Sequence, residues 1–326
     1  AFDVIDLQTV EEKYLPRTNY GPAVDYVTYQ QRMTKCRWDP TKKHSDFYRV
    51  GMRRMVNPNG ERSLIAALIP PKIMHVHTIE SIACVSIGST LELLGLCSSV
   101  VYDFVIKASG IQDIQISVFA RLPYVTVPQE VVYRQLKLNC ITAVYANLWE
   151  EFVTSPIKMS WSGNHSCLTT GGNADLLPEW SYQSALRAEY PRRMALVETD
   201  VLVAQAFGLT LEQLLEIYRI YFPVLQENEA GTWYDQNGSI VWTCSKGLTG
   251  VGYLNEKGKS PGRKEWESIL ESNPAELVCA AIDDTLPDGP HTVERRFVGP
   301  FFKCDRVEDY KHAWTHFEKL EQEGAA

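Results

Sequence analysis

The chain has 326 residues, enough for one large domain or two ordinary ones, and its 45% hydrophobic and 22% charged content suits a soluble globular protein. No apolar run approaches the roughly 18 residues that span a bilayer, and Ala1 to Val10 lacks the basic start and apolar run of a signal peptide. The net charge of −8 excludes nonspecific coating of nucleic acid, but it is compatible with one basic face on an acidic body.

Asn19 to Arg54 reads as a mixed, partly helical segment with concentrated positive charge. Between Gln30 and Arg54 lie eight basic residues (Arg32, Lys35, Arg37, Lys42, Lys43, Arg49, Arg53, Arg54) against two acids, Asp39 and Asp46. The stretch is therefore +6 and the rest of the chain −14. Ser63 to Ile69 is a short apolar run stopped by Pro70-Pro71 and predicts a strand. His77 to Ile87 predicts a second strand. Leu91, Leu94, Val101, Phe104 and Val105 sit at helical spacing and predict a helix over Thr90–Lys107. Ile114, Ile116 and Val118 alternate and predict a strand ending at Leu122-Pro123. Val127 to Phe152 predicts one long amphipathic helix with Pro128 in its first turn.

Ser155 to Pro178 is rich in Gly, Asn and Pro and reads as a long loop, which is either functional or a connection. Beyond it, Arg192 to Phe207 predicts a helix stopped by Gly208. Thr210-x-x-Gln213 is a capping box that opens another helix through Tyr221, stopped by Pro223. Thr232–Asp235 and Ile240–Thr243 flank Asn237-Gly238, a pair suited to a hairpin turn. Asp305-x-x-Glu308 caps a final helix with Tyr310, Ala313, Trp314, Phe317 and Leu320 inward. The expected class is α+β. Residues 1–155 form a mixed-sheet core with long helices, 156–180 a loop, and 181–326 a mostly helical block with a β-hairpin.

Eight cysteines (Cys36, Cys84, Cys97, Cys140, Cys167, Cys244, Cys279, Cys304) include no Cys-x-x-Cys pair. That disfavours a zinc ribbon, and reduced, mostly buried thiols in a cytoplasmic protein are expected. His75 with His77, and His312 with His316, are pairs without the further ligands a zinc site needs. Asp6, Glu11 and Lys13 only faintly resemble nuclease carboxylates and lysine. No phosphate loop, dinucleotide fingerprint or Gly-x-Ser-x-Gly elbow occurs. The Trp161-Ser162-Gly163-Asn164-His165 loop is either a base-reading loop or a surface connection. The basic segment carries the most weight, because Lys and Arg that neutralise phosphates release counterions and supply affinity. Trp38 and Tyr48 lie among those charges, placed to stack or pack.

Several of these stretches together resemble the specificity region of large site-specific adenine DNA methyltransferases. These are fused type II restriction–modification enzymes and the methyltransferases of the BREX and DISARM phage-defence systems. The resemblance runs through Tyr20-Gly21-Pro22-Ala23-Val24-Asp25, Thr28-Tyr29-Gln30-x-Arg32, Phe47-Tyr48-Arg49-x-x-x-Arg53 and Glu61-Arg62-Ser63-Leu64-Ile65-Ala66-Ala67-Leu68-Ile69-Pro70-Pro71. It continues through Leu96 to Phe104, Leu122-Pro123-Tyr124, Glu198 to Ala204, Phe207 to Thr210, Thr232 to Asp235 and Asp305-Arg306, covering roughly residues 19–124 and 190–320.

The family's catalytic Asn/Asp-Pro-Pro-Tyr/Phe motif is not in this sequence, nor is a Gly-rich loop for S-adenosylmethionine. The resemblance therefore implies a prokaryotic DNA target-recognition domain without its chemistry. The cofactor would belong to a separate methyltransferase domain, in the same or a partner chain, and the ligand would be double-stranded DNA. The chain, which starts on Ala1, is then expected to be a fragment of a longer protein. Arg32, Lys35, Arg37, Lys42 and Lys43 are the expected phosphate contacts. Arg49, Arg53, Arg54 and Arg62 are further candidates that could instead pair with core carboxylates. The alternative is a protein-interaction scaffold of a defence complex that uses the acidic carboxy-terminal block.

Overall fold

The computed structural model of the chain describes residues 21, 23–163, 165–169, 175–283 and 291–324. Asp6, Glu11 and Lys13 lie outside them. The α+β class holds, with eleven helices and small sheets among the described residues.

The basic segment begins with helix α1 (Tyr26–Arg32), whose N-cap Asp25 accepts from the Thr28 N–H at 3.0 Å. It ends in a strand rather than a helix. Strand β1 (Arg49–Arg53) is the centre of a three-stranded sheet, between β2 (Ala66–Ile69) and β3 (Ile79–Ala83). Both pairings are antiparallel, so the expected mixed sheet is an antiparallel one. Val50 and Met52 point from β1 into the core, which explains why charged neighbours at 49, 53 and 54 disguise a central strand.

The helix predicted over Thr90–Lys107 is two helices, α2 (Ile87–Ser98) and α3 (Val100–Ser109). Ser99 leaves the helical conformation and caps α3, and the Asp200 carboxylate takes the Val100 N–H at 2.7 Å. The strand predicted over Ile114–Val118 is a short helix, α4 (Ile116–Phe119). The residues driven inside are Ile114 and Phe119, while Ile116 stays exposed, so the alternation does not report burial. The long helix predicted over Val127–Phe152 is α5 (Gln129–Asn139), with Pro128 as its N-cap, then a 3₁₀ turn and α6 (Ala146–Phe152). Gly95 lets α5 lie close on α2, because a Cβ there would collide with Val131 Cγ1.

Helix α7 (Glu189–Ala206) is the central pillar. It packs against α2, α3 and α5 and against two later helices, α8 (Leu211–Tyr221) and the carboxy-terminal helix, and most of its residues are buried. The capping box at Thr210 and Gln213 forms as expected. Pro223 ends α8 and also starts α9 (Pro223–Ala230), which suits a residue with no N–H to satisfy.

The predicted hairpin is present as β4 (Thr232–Tyr234) and β5 (Ile240–Thr243). Asp235 Oδ1 accepts from the N–H groups of Asn237 and Ser239, and Gly238 takes φ 82°. Helix α10 (Arg263–Glu271) and the ribbon β6 (Glu276–Asp283) with β7 (His291–Val298) follow. Finally α11 (Arg306–Gly324) starts at Asp305, which accepts from the Val307 and Glu308 N–H groups. One hydrophobic cluster runs from Val50 to Phe317 and joins the two blocks. Each fully buried Leu or Phe within it contributes about 1.5–3 kcal/mol. All eight cysteines are free, four of them buried. No single helix among the described residues is long and apolar enough to cross a membrane.

Candidate nucleic-acid interface

The expected basic residues separate into two sets. The first sits at the end of α1 and on a small hairpin between α1 and β1. Lys35 and Lys43 face each other in an antiparallel bridge, and the Cys36 N–H donates to Lys42 O at 3.0 Å. The hairpin's tip is Asp39-Pro40-Thr41-Lys42, the residue order a type I turn favours. The Lys42 N–H donates to Asp39 O, and Asp39 Oδ1 accepts from the Thr41 N–H and hydroxyl. Those bonds, the hydroxyl's first, hold the Asp39 carboxyl below its ordinary range.

The hairpin is anchored at its base. Cys36 and Ser45 are buried, and Lys43 Nζ donates to Gln30 Oε1 of α1 at 2.6 Å. Arg32, Lys35, Arg37 and Lys42 remain exposed. Arg32, Lys35, Arg37 and Lys43 have no ion pair among the described residues, and Lys42 only a 3.9 Å approach to Asp39. Trp38 stacks on His44 (centroids 6.3 Å apart, planes 18°) and meets Phe47 edge-on at 5.6 Å. Burial, then the charges of Arg49 and Arg37, push the His44 pKa below its ordinary value.

The second set serves the fold. Arg62 Nε donates to Asp103 Oδ2 at 2.6 Å, and its Nη2 donates to the carbonyls of Ser98 and Ser99. Arg54 grips Asp113 with two bonds of 2.5 and 2.7 Å, which lower that carboxyl to about 2, and it also meets the His77 ring. Arg49 is only 2% exposed; it donates to Ile73 O, and burial lowers its pKa. Arg53 is exposed at the end of β1 and donates to Met55 O. The structure thus groups Arg32, Lys35, Arg37, Lys42 and Lys43, and it places Arg49, Arg54 and Arg62 among structural contacts.

Of the Trp161–His165 loop, Ser162, Gly163 and His165 lie elsewhere, beside α7 and the start of α11. Ser162 donates from its N–H and hydroxyl to Glu198 Oε1, whose partner oxygen holds Arg134 at 2.6 Å. His165 stacks on Phe302 with centroids 3.9 Å apart. Ser162, Gly163 and His165 line a cavity of about 360 Å³ together with Lys303, Asp305, Glu308, Asp309 and His312. Its three carboxylates make it unsuited to phosphate. His316 bonds Ser160 Oγ at 2.8 Å, and His75 bonds Ser81 Oγ. Among the described residues no group of three or more His, Cys, Asp or Glu is placed to hold a metal.

Composition alone does not expose the ion network that ties α7 to α9 and α11. Asp200 accepts from Arg306 at 2.9 Å and from the Tyr310 hydroxyl at 2.6 Å. Glu229 pairs with both Arg193 and Arg306, and Arg193 also pairs with Asp309 at 2.7 Å. The available signal was Glu198 and Asp200 between the apolar runs Ala195–Val197 and Val201–Ala204, since a buried charge requires a partner.

The chain matches no family model, no curated protein and no solved structure.

Proposed function

We propose that the chain is a DNA target-recognition module that places duplex DNA for a separate adenine-N6 methyltransferase domain. The observation that carries the reading is the basic patch: five cations without strong ion pairs among the described residues, Arg32 at the end of α1 and Lys35, Arg37, Lys42 and Lys43 on the anchored hairpin that follows, in a protein that is acidic elsewhere. Such a surface attracts a polyanion to one face and repels it from the others. The resemblance of Phe47–Pro71 and Leu96–Phe104 to adenine methyltransferase specificity regions supplies the reaction. Those stretches build β1, β2 and α3, joined by the Arg62–Asp103 pair. Extracting a base costs a few kcal/mol, and a recognition module supplies binding energy that holds the opened duplex. S-adenosylmethionine and the catalytic residues would belong to the methyltransferase domain, in the same or a partner chain.

The test is duplex binding by fluorescence anisotropy across a salt series. Each phosphate contact adds about 0.9 to the log–log slope, so five cations correspond to a slope near −4 to −5. The double variant Lys42→Ala/Lys43→Ala is expected to flatten the slope by about 2. No duplex binding at low salt would overturn the reading. Methyl transfer by this chain alone would overturn the placement of the chemistry elsewhere.

A further inference from the structure

We infer that Trp38 is a stacking wedge, presenting its indole to a base at an unstacked step of bound duplex DNA. This rests on the DNA reading above and goes beyond phosphate contact. Trp38 sits beside the turn at the end of the hairpin and is 40% exposed, though it is the largest apolar side chain there. Its orientation is fixed in advance by the stack on His44 and the edge contact with Phe47. A pre-set aromatic loses little freedom on binding. Its indole N–H has no hydrogen bond among the described residues, so the exposed ring edge keeps a free donor.

Its surroundings suit a nucleic acid rather than an apolar partner. Arg37 precedes it directly, and Lys42 lies over the Phe47 ring at 5.7 Å. The two acids of the hairpin are held in local hydrogen bonds: Asp39 accepts from Thr41, and Asp46 accepts from the Lys43 N–H at 2.8 Å. Cations close to a held aromatic ring give a base a π-face and its flanking phosphates counter-charges. Apolar wedges of this kind enter where a step unstacks, and pyrimidine–purine steps unstack most readily.

The experiment compares the wild type with Trp38→Ala, Trp38→Leu and Trp38→Phe, all in the full chain and checked by circular dichroism. The probe is a duplex of about 30 base pairs with 2-aminopurine in its pyrimidine–purine steps. Trp38→Ala and Trp38→Leu are expected to bind about 5- to 150-fold more weakly with an unchanged salt slope. Both should lose the rise in 2-aminopurine fluorescence that the wild type produces, whereas Trp38→Phe should retain part of it. Trp38→Leu preserves apolar packing on Phe47 but lacks a π-face, so it separates stacking from folding. Wild-type affinity and fluorescence rise in Trp38→Leu would overturn the wedge while the DNA reading stands. Absence of duplex binding by the wild type would overturn both.

Discussion

Asp103 and Arg62 meet at 2.6 Å across 41 residues of chain, and the same fully buried carboxylate accepts from the backbone N–H groups of Ser63 and Leu64. One side chain on α3 therefore fixes where the chain enters β2, and the Arg62 cation is spent on that junction. Removing one partner of a buried pair leaves the other charge unpaired and costs about 3–5 kcal/mol. Asp103→Ala is expected to lose that much stability in urea denaturation. Arg62→Lys is also expected to lose stability, because an ammonium lacks the planar fork that reaches Asp103, Ser98 and Ser99 together. Stability of Asp103→Ala within about 1 kcal/mol of wild type would contradict this account.

Arg54 and Asp113 form a more exposed junction, between the end of β1 and the chain before α4. Hydrogen bonds from Arg54 hold the Asp113 carboxyl at about 2, below its ordinary 3.8. A carboxyl whose folded value is lowered contributes stability above its unfolded value and loses it as pH falls through the folded one. That contribution is therefore complete above about pH 4 and gone below about pH 2. Urea unfolding at steps across this window should show a shallower acid decline for Asp113→Asn than for the wild type. Superimposable difference curves would show that the pair contributes nothing.

The parts of the fold legible in sequence were those specified within a few residues. Thr210 and Gln213 cap α8 reciprocally, and Asp235, Asn237 and Gly238 make their turn unaided. What escaped was decided by residues far along the chain. The break at Ser99 is stabilised by Asp200, a hundred positions away, and no local period announces it. Strand β1 is hidden because Arg49, Arg53 and Arg54 flank two inward residues and the glycine between them. Among its described residues, ribbon β6–β7 buries only Cys279, Ala281 and Phe297, too few to read as a strand pattern. The candidate site divided in the same way. The charge cluster and Trp38 were visible as composition, whereas the separation of free cations from Arg49, Arg54 and Arg62 depended on partners such as Asp113 and Asp103.

Lys137 is a buried cation on α5 whose ammonium, among the described residues, reaches only Ser184 O, at 3.5 Å. Burial pushes its pKa down to about 8 from 10.5. At pH 7 both folded and unfolded states are charged, so the folded state bears the full cost. As pH rises from 8 to 10.5 the folded state releases its proton first, and the cost disappears. Lys137→Met is accordingly expected to stabilise the protein by about 1–3 kcal/mol at neutral pH, with the gain shrinking above about pH 8. Thermal or urea unfolding across that range checks both parts, and a destabilised variant would refute the reading.

Arg49 poses the same question beneath the basic hairpin, with an additional readout. Its Nε has no hydrogen-bond partner and its Nη2 donates to Ile73 O, and no carboxylate among the described residues pairs with it. Burial lowers its pKa, the sign of an uncompensated charge. Methionine follows a similar path through the core without that charge, so Arg49→Met is expected to be neutral or stabilising by about 1–2 kcal/mol. The charge also acts on its neighbour. The His44 pKa is lowered by burial first, then by Arg49 and Arg37, while Trp38 stacks on its face. Removing Arg49 should therefore raise the His44 pKa toward 6.5, which NMR titration of the imidazole resonances reads directly. A residue this buried releases no counterion from DNA, so the salt slope of duplex binding should be unchanged in Arg49→Met. A flattened slope would instead place Arg49 with Lys42 and Lys43 in the interface.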